Sequence, residues 1–219
     1  MILPKLAIFD MDGVLFDTER IMYEANTEVR AEHGYGQDFD LYLTTMGTAG
    51  DTFFQRLYDL YGPEYPAHEI SEESARRAHA RVRKEGPPVK EGIPELLQFF
   101  RNAGVRCCVA SSTRSDTVRT YLSLSGLTEF FDFVLGGEQV TRSKPDPEVI
   151  LCCLERAGVT PAEACVFEDS ENGILAAVNA GVPVVCIVDM KTPSPEIAEK
   201  TDALVYQATE VPPLFPTSS

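Results

Sequence analysis

The 219 residues carry 34 Asp and Glu against 19 Lys and Arg, a formal net charge of −15, and 44% of them are apolar. The acid excess argues against a nucleic-acid backbone or an anionic membrane surface as partner, because both are gripped by clustered Lys and Arg. The length suits one large domain, or one domain with an insert, and is ample to bury a core without disulfides or a metal staple.

No apolar run approaches the ~20 residues needed to cross a bilayer. The run that follows Met1-Ile2-Leu3-Pro4-Lys5 is too short for a signal peptide, so the expectation is a cytoplasmic protein. The six cysteines (107, 108, 152, 153, 165 and 186) lie in apolar stretches with no CxxC. That usage reads as buried, reduced thiols rather than a disulfide framework or a zinc site.

In chain order, Leu6-Ala7-Ile8-Phe9 reads as a buried strand ending at Asp10. From Phe16 to Gly86 no strand is convincing, and segments 18–33, 51–61 and 71–84 are helical in pattern and rich in charge. Glu85-Gly86-Pro87-Pro88 reads as a linker. Residues 94–103 form a helix with Pro94 in its first turn and Gly104 as its stop. Residues 105–110 form a second strand, and 117–125 a helix ended by Gly126. Residues 131–135 are a weaker strand. Residues 147–157 form a helix ended by Gly158, and Cys165-Val166-Phe167 a strand. Residues 172–180 form a helix ended by Gly181. Residues 182–188 and 203–206 complete the strands. The Pro-rich tail from Val211 is expected to fray.

Alternating strands and helices with glycine stops predict an α/β fold: a doubly wound parallel sheet of Rossmann-like architecture. The helical block then becomes an inserted all-helical cap. The division is a core of residues 1–16 and 87–219 and a cap of residues 17–86.

Four clusters carry candidate chemistry. Asp10-Met11-Asp12-Gly13 sets two acids two residues apart just past the first strand, on one side if the chain stays extended. A calcium loop is a poor fit, because such loops place Gly at position six and Glu at position twelve. A solvated turn is the plain alternative. Ser111-Ser112-Thr113 follows the second strand, where small hydroxyls and backbone N–H groups suit an oxyanion or, equally, a helix cap. Lys144 precedes Pro145-Asp146-Pro147 on a stiff turn and offers a fixed positive charge, or is simply solvated. Glu168-Asp169 follows another strand; adjacent acids repel unless a cation is near, although a helix N-terminus also favours them. All four lie at or beside the ends of predicted strands, which one edge of a parallel sheet gathers together.

Asp10-x-Asp12-Gly13, Ser111, Lys144 with its Pro-Asp-Pro, and Glu168-Asp169, in that order, resemble the four motifs of the haloacid dehalogenase superfamily. The insert between the first two core strands is similar to that of its helical-cap subgroup, which includes small phosphatases and beta-phosphoglucomutases. The resemblance implies a phosphatase acting on a small phosphomonoester, such as a sugar phosphate. Asp10 would be the nucleophile, forming an aspartyl-phosphate, and Asp12 the acid and then the base. Ser111, Ser112 and Lys144 would hold the phosphoryl oxygens. Mg2+ would sit among Asp10, the Asp12 carbonyl and Asp169, with Glu168 in or beside that shell. The dehalogenases lack the second acid, which disfavours dehalogenation.

The family's mutases carry a His on the first cap helix and an Arg in a cap loop. Here the matching position is Met22, and Thr45 to Thr52 contains no Arg. The phosphatase is therefore the favoured reading, a beta-phosphoglucomutase-like isomerase the alternative, and a non-catalytic binding module the third. Glu19, Tyr23, Met46 and Thr48 are candidate substrate contacts on the cap, with cap core as the other reading of Tyr23 and Met46. The expected partner is a small phosphorylated metabolite, and the expected state a monomer or weak dimer.

Overall fold

The structure, a computed structural model, describes residues 1–36, 38–46 and 50–216. The chain divides into two compact units, Met1–Asp17 with Pro87–Ser219, and Thr18–Gly86.

The larger unit is built on a six-stranded parallel sheet: β1 (Leu6–Phe9), β2 (Arg106–Ala110), β3 (Phe133–Leu135), β4 (Ala164–Glu168), β5 (Val184–Ile187) and β6 (Ala203–Val205). The strand order is β3-β2-β1-β4-β5-β6. The chain fills one side of β1 first and then the other, so the order reverses between β1 and β4. Open parallel sheets present their binding crevice at such a switch point, beyond the carboxyl ends of the strands. The register aligns those ends: Phe9 lies opposite both Val109 and Phe167. Asp10 and Glu168-Asp169 therefore leave the sheet side by side.

β1 is fully buried along its length because helices cover both faces of the sheet. Those helices are α5 (Ile93–Asn102), α6 (Ser115–Leu124), α7 (Glu148–Ala157), α8 (Glu171–Ala180) and the single turn α9 (Pro195–Ala198), which follow the cap helices α1 to α4 given below. Phe9 stacks on Phe167, with ring centroids 4.7 Å apart, and meets Phe100 edge-on at 6.1 Å. This aromatic block fixes β1 against β4 directly behind the acids.

Three sequence expectations need correction. The tail does not fray at Val211: Phe215 is buried against Phe100 and Phe167, and the N-terminal ammonium donates to the Leu214 carbonyl at 2.8 Å. Burying one aromatic ring outweighs the ordering of a short Pro-rich turn. The strand expected over 182–188 begins only at Val184, because the Val182 N–H closes the end of α8 on Ala177 and Pro183 has no N–H to pair. The cap also holds a helix that the sequence pattern did not reveal, Phe39–Thr45.

The smaller unit is all-helical: α1 (Thr18–Glu32), α2 (Phe39–Thr45), α3 (Gly50–Tyr61) and α4 (Ala67–Glu85). The short α2 owes its start to Asp38, whose side chain accepts from the Leu41 N–H at 3.0 Å. α4 begins four residues earlier than expected. Val29, Leu57, Tyr65, Ala67 and Ile70 form the core of this unit. Buried Arg30 is satisfied by two bonds to the Gly36 carbonyl, one to the Tyr65 hydroxyl, and the face of Tyr61. On the outside, α1 and α4 are laced by Arg77 to Glu32 and by Arg81 to Glu28, while Glu73 pairs with Arg77 along α4 itself.

Candidate active site

Asp10 is the first residue past β1, and its N–H donates to the Phe167 carbonyl at 3.0 Å. The pairing thus runs one residue beyond the strand and leaves the carboxyl at the sheet edge. The next turn is tight: the Leu15 and Phe16 N–H groups both donate to the Met11 carbonyl, and the Gly13 N–H returns to the Phe16 carbonyl. Gly13 has a φ of +78°, and a Cβ there would lie 2.4 Å from Asp169 Oδ2. The glycine therefore serves two ends, a left-handed backbone and room for the second acid of the β4 cluster.

Lys144 reaches into this edge from the loop after β3, beside a cis bond to Pro145. Its ammonium donates to Asp10 Oδ1 at 2.6 Å, Glu168 Oε1 at 2.5 Å and the Ala110 carbonyl at 3.0 Å. Its three hydrogens are thereby all engaged. Glu168 is 1% exposed and fully committed: Oε1 takes Lys144, and Oε2 takes the Asp169 N–H, the Ser170 N–H and the Ser170 hydroxyl. A Cβ on Gly173 would fall 1.8 Å from Glu168 Oε1, so α8 must begin with a bare backbone there. Ser170 caps α8 by accepting the Gly173 N–H.

Ser111 is buried past the end of β2, where its N–H donates to the Leu135 carbonyl and its hydroxyl accepts the Thr113 N–H. Ser112 is exposed. Gly137 passes against it so closely that a Cβ would sit 2.2 Å from the Ser112 carbonyl oxygen. The Thr113 hydroxyl donates to Asp12 Oδ2 at 2.8 Å. That tie between the first two clusters is a positioning contact the sequence reading did not single out, though Thr113 stood in the hydroxyl run.

The electrostatics are lopsided. The Asp10 carboxyl is raised to about 8: burial is the main cause, the charges of Glu168 and Asp12 add to it, and Lys144 opposes them. Burial works against the charge of Lys144, but Asp10 and Glu168 outweigh it and hold the ammonium protonated. One buried cation thus faces several carboxylates. Ligand oxygens of Asp10, Glu168 and Asp169 lie within 4.8 Å of one another. An all-oxygen donor set with excess negative charge fits a hard divalent cation, which would also return Asp10 to its ionised form.

Asp10, Asp12, Ser111, Lys144, Glu168 and Asp169 therefore meet around the ends of β1, β2 and β4. Of the cap candidates, Tyr23 is half-buried edge-on to Phe39 and Tyr42, at 5.2 and 5.0 Å. Glu19 lies in the first turn of α1, and Met46 ends α2. Thr48 lies outside the described residues. The cysteines are free thiols, and five of the six are buried. No helix among the described residues is long and apolar enough to cross a membrane.

Residues 7–187 match the sequence profile of the haloacid dehalogenase-like hydrolases. The chain belongs to that family. Over 181 residues it is 34% identical to a phosphorylated carbohydrates phosphatase of Thermotoga maritima, covering 81% of this chain and 82% of that protein. It is 29% identical over 180 residues to the fructose-1-phosphate phosphatase YqaB of Escherichia coli, covering 81% and 93%. Its fold superposes on CbbY of Rhodobacter sphaeroides, solved in complex with phosphate, with a TM-score of 0.74 and 26% identity over 95% and 96% of the two chains. The resemblance drawn from the four motifs thus holds at the level of the family, and the hydrolase fold carries its motif residues at the sheet edge where such folds bind ligands.

Proposed function

We propose that this haloacid dehalogenase-like hydrolase is a magnesium-dependent phosphatase of small phosphomonoesters, sugar phosphates among them, working through an aspartyl-phosphate. The observation that carries the reading is the meeting of Asp10, Asp12, Ser111, Lys144 and Asp169 at one sheet edge, with carboxylates in excess over the single buried ammonium. The relatives named as sugar phosphatases support the substrate class.

In the first step a carboxylate oxygen of Asp10 attacks phosphorus. The bond from phosphorus to the ester oxygen breaks, and Asp12 gives that oxygen its proton. In the second step Asp12, now a carboxylate, takes a proton from water as the water oxygen attacks the same phosphorus. The bond to Asp10 breaks, restoring its carboxylate and releasing inorganic phosphate. Thr113 orients Asp12 through the bond to Oδ2. Ser111, and Ser112 beside it, would hold phosphoryl oxygens. Lys144, with its hydrogens already engaged, contributes chiefly a fixed positive charge. Asp10, the Asp12 carbonyl and Asp169 would hold Mg2+, and Glu168 would brace that group from beside it through Lys144 and the β4–α8 turn. The ion would offset the charge of the phosphate and of Asp10 as they approach. Glu19, Tyr23, Met46 and Thr48 remain proposed substrate contacts, and the partner a small phosphorylated metabolite.

The test is phosphate release from p-nitrophenyl phosphate, with and without magnesium, by wild type and Asp10→Asn. The expected result is release that needs magnesium and falls by more than about a thousandfold in the variant. Release by Asp10→Asn at the wild-type rate would overturn the aspartyl-phosphate route. The isomerase alternative is separated by beta-glucose 1-phosphate: conversion to glucose 6-phosphate faster than phosphate release would make it the better reading.

A further inference from the structure

Outside the four motifs, one more charged pair touches the turn that carries Asp12. Lys90 sits just after the linker that returns from the cap. Its backbone N–H donates to the Leu15 carbonyl at 3.0 Å, and Val89 bridges to Phe16. Its ammonium donates to the Gly13 carbonyl at 2.7 Å and to Asp189 Oδ1 at 2.5 Å. The two side chains are 18% and 8% exposed. Asp189 follows β5, and its second oxygen is buried with no hydrogen-bond partner among the described residues. Such a pair is expensive to bury and is a weak source of stability.

What the pair does hold is Gly13. The N–H of Gly13 is tied inside the turn to Phe16, and its carbonyl is tied by Lys90. Gly13, at φ +78°, is the point of the turn with the most conformational freedom to lose. The residue directly before it is Asp12, whose carboxyl is tethered by Thr113.

We propose that Lys90, anchored by Asp189, is a positioning residue that fixes the Gly13 peptide and so aims Asp12 at the leaving oxygen. The proposal rests on the phosphatase reading above. A proton donor must come within hydrogen-bond reach of the atom it serves, and a shift of ~1 Å costs on the order of a hundredfold in rate. The effect should therefore fall on esters whose leaving oxygen needs a proton. It should spare esters whose leaving group departs as a stable anion.

The experiment compares kcat/KM for fructose 1-phosphate, an alkyl ester, with that for 2,4-dinitrophenyl phosphate. This ratio reports the steps up to leaving-group departure and is blind to slow hydrolysis of the intermediate. The Lys90→Met/Asp189→Asn double variant removes both charges, so that no buried carboxylate is left alone; Lys90→Arg is the conservative replacement. Melting curves confirm that each variant folds. The expected result is a loss of about tenfold or more on the alkyl ester, less than about twofold on the dinitrophenyl ester, and recovery with Arg. Equal loss on both esters, or no loss on either, would overturn the positioning role. Wild type inert toward both esters would overturn the phosphatase reading and this proposal with it. Wild type active with Asp10→Asn inactive upholds the former whatever Lys90 does.

Discussion

The two units are both rich in charge, yet they use it in opposite ways. In the cap, Glu73 meets Arg76 and Arg77, and Arg77 reaches Glu32 across to α1. Those groups lie at the surface, each acid has its base, and water screens what remains. At the sheet edge, Lys144 is 6% exposed, Glu168 is 1%, and carboxylates outnumber the ammonium. There the charge is desolvated and unbalanced, so it can be discharged only by a proton or an added cation. Charge count alone does not mark a reactive site; burial together with imbalance does.

The sharpest way to break this contrast is Lys144→Met. It leaves Asp10 and Glu168 facing each other without their cation. Urea titration in EDTA should show a loss of about 3–5 kcal/mol, and phosphate release should vanish. A variant as stable as wild type would mean that the cluster is already neutral. Next comes Gly173→Ala, whose methyl would displace Glu168 from its four ties. A loss of about 1–3 kcal/mol is expected, with turnover reduced far more than for any cap variant.

Saturating magnesium should raise the melting temperature of wild type, by the equivalent of about 2.7 kcal/mol at one hundred times its Kd, and should do so far less for Asp169→Asn. An identical rise in both proteins would remove Asp169 from the proposed ion site. Thr113→Val deletes one hydrogen bond to Asp12. It should lower kcat by about tenfold, with KM little changed.

The smallest effect belongs to the cap. Arg76 and Arg77 hold Glu73 down to about 2, below its ordinary 4.5. A depressed carboxylate adds stability that is fully present above pH 4.5 and is lost as pH falls toward 2. Glu73→Gln should therefore lower the melting temperature slightly at neutral pH, and the difference should close in that acid window. A persistent difference at pH 2 would point to packing rather than charge.

The sheet and its motif residues were legible because each signal is local. Asp10, Ser111 and Glu168 each follow a short apolar run, and Gly158 and Gly181 stop helices by their own left-handed backbones. What escaped is long-range or tertiary. Lys90 and Asp189 meet across 99 positions, and nothing in Val89-Lys90-Glu91-Gly92 points to Gly13. Thr113 is one of several hydroxyls until its distance to Asp12 singles it out. Phe215 sits in a Pro-rich tail that any local rule sends into solvent, and only the Phe100–Phe167 cluster shows why it stays. α2 was hidden because Phe39-Asp40-Leu41-Tyr42-Leu43-Thr44-Thr45 is too short for its period to show.

The pairing of the two connecting segments has a consequence for ancestry. The Asp17 N–H donates to the Pro88 carbonyl at 2.9 Å, so the core's chain leaves and returns at practically the same place. To the core, Thr18–Gly86 is a loop of almost no span, and the free-energy cost of closing a loop grows only with the logarithm of its length. Insertions of very different size can be hung from that point, or exchanged by recombination, without rebuilding the sheet. Such an inserted unit can be rewritten as a cassette while the sheet and the acid cluster at its edge stay where they are.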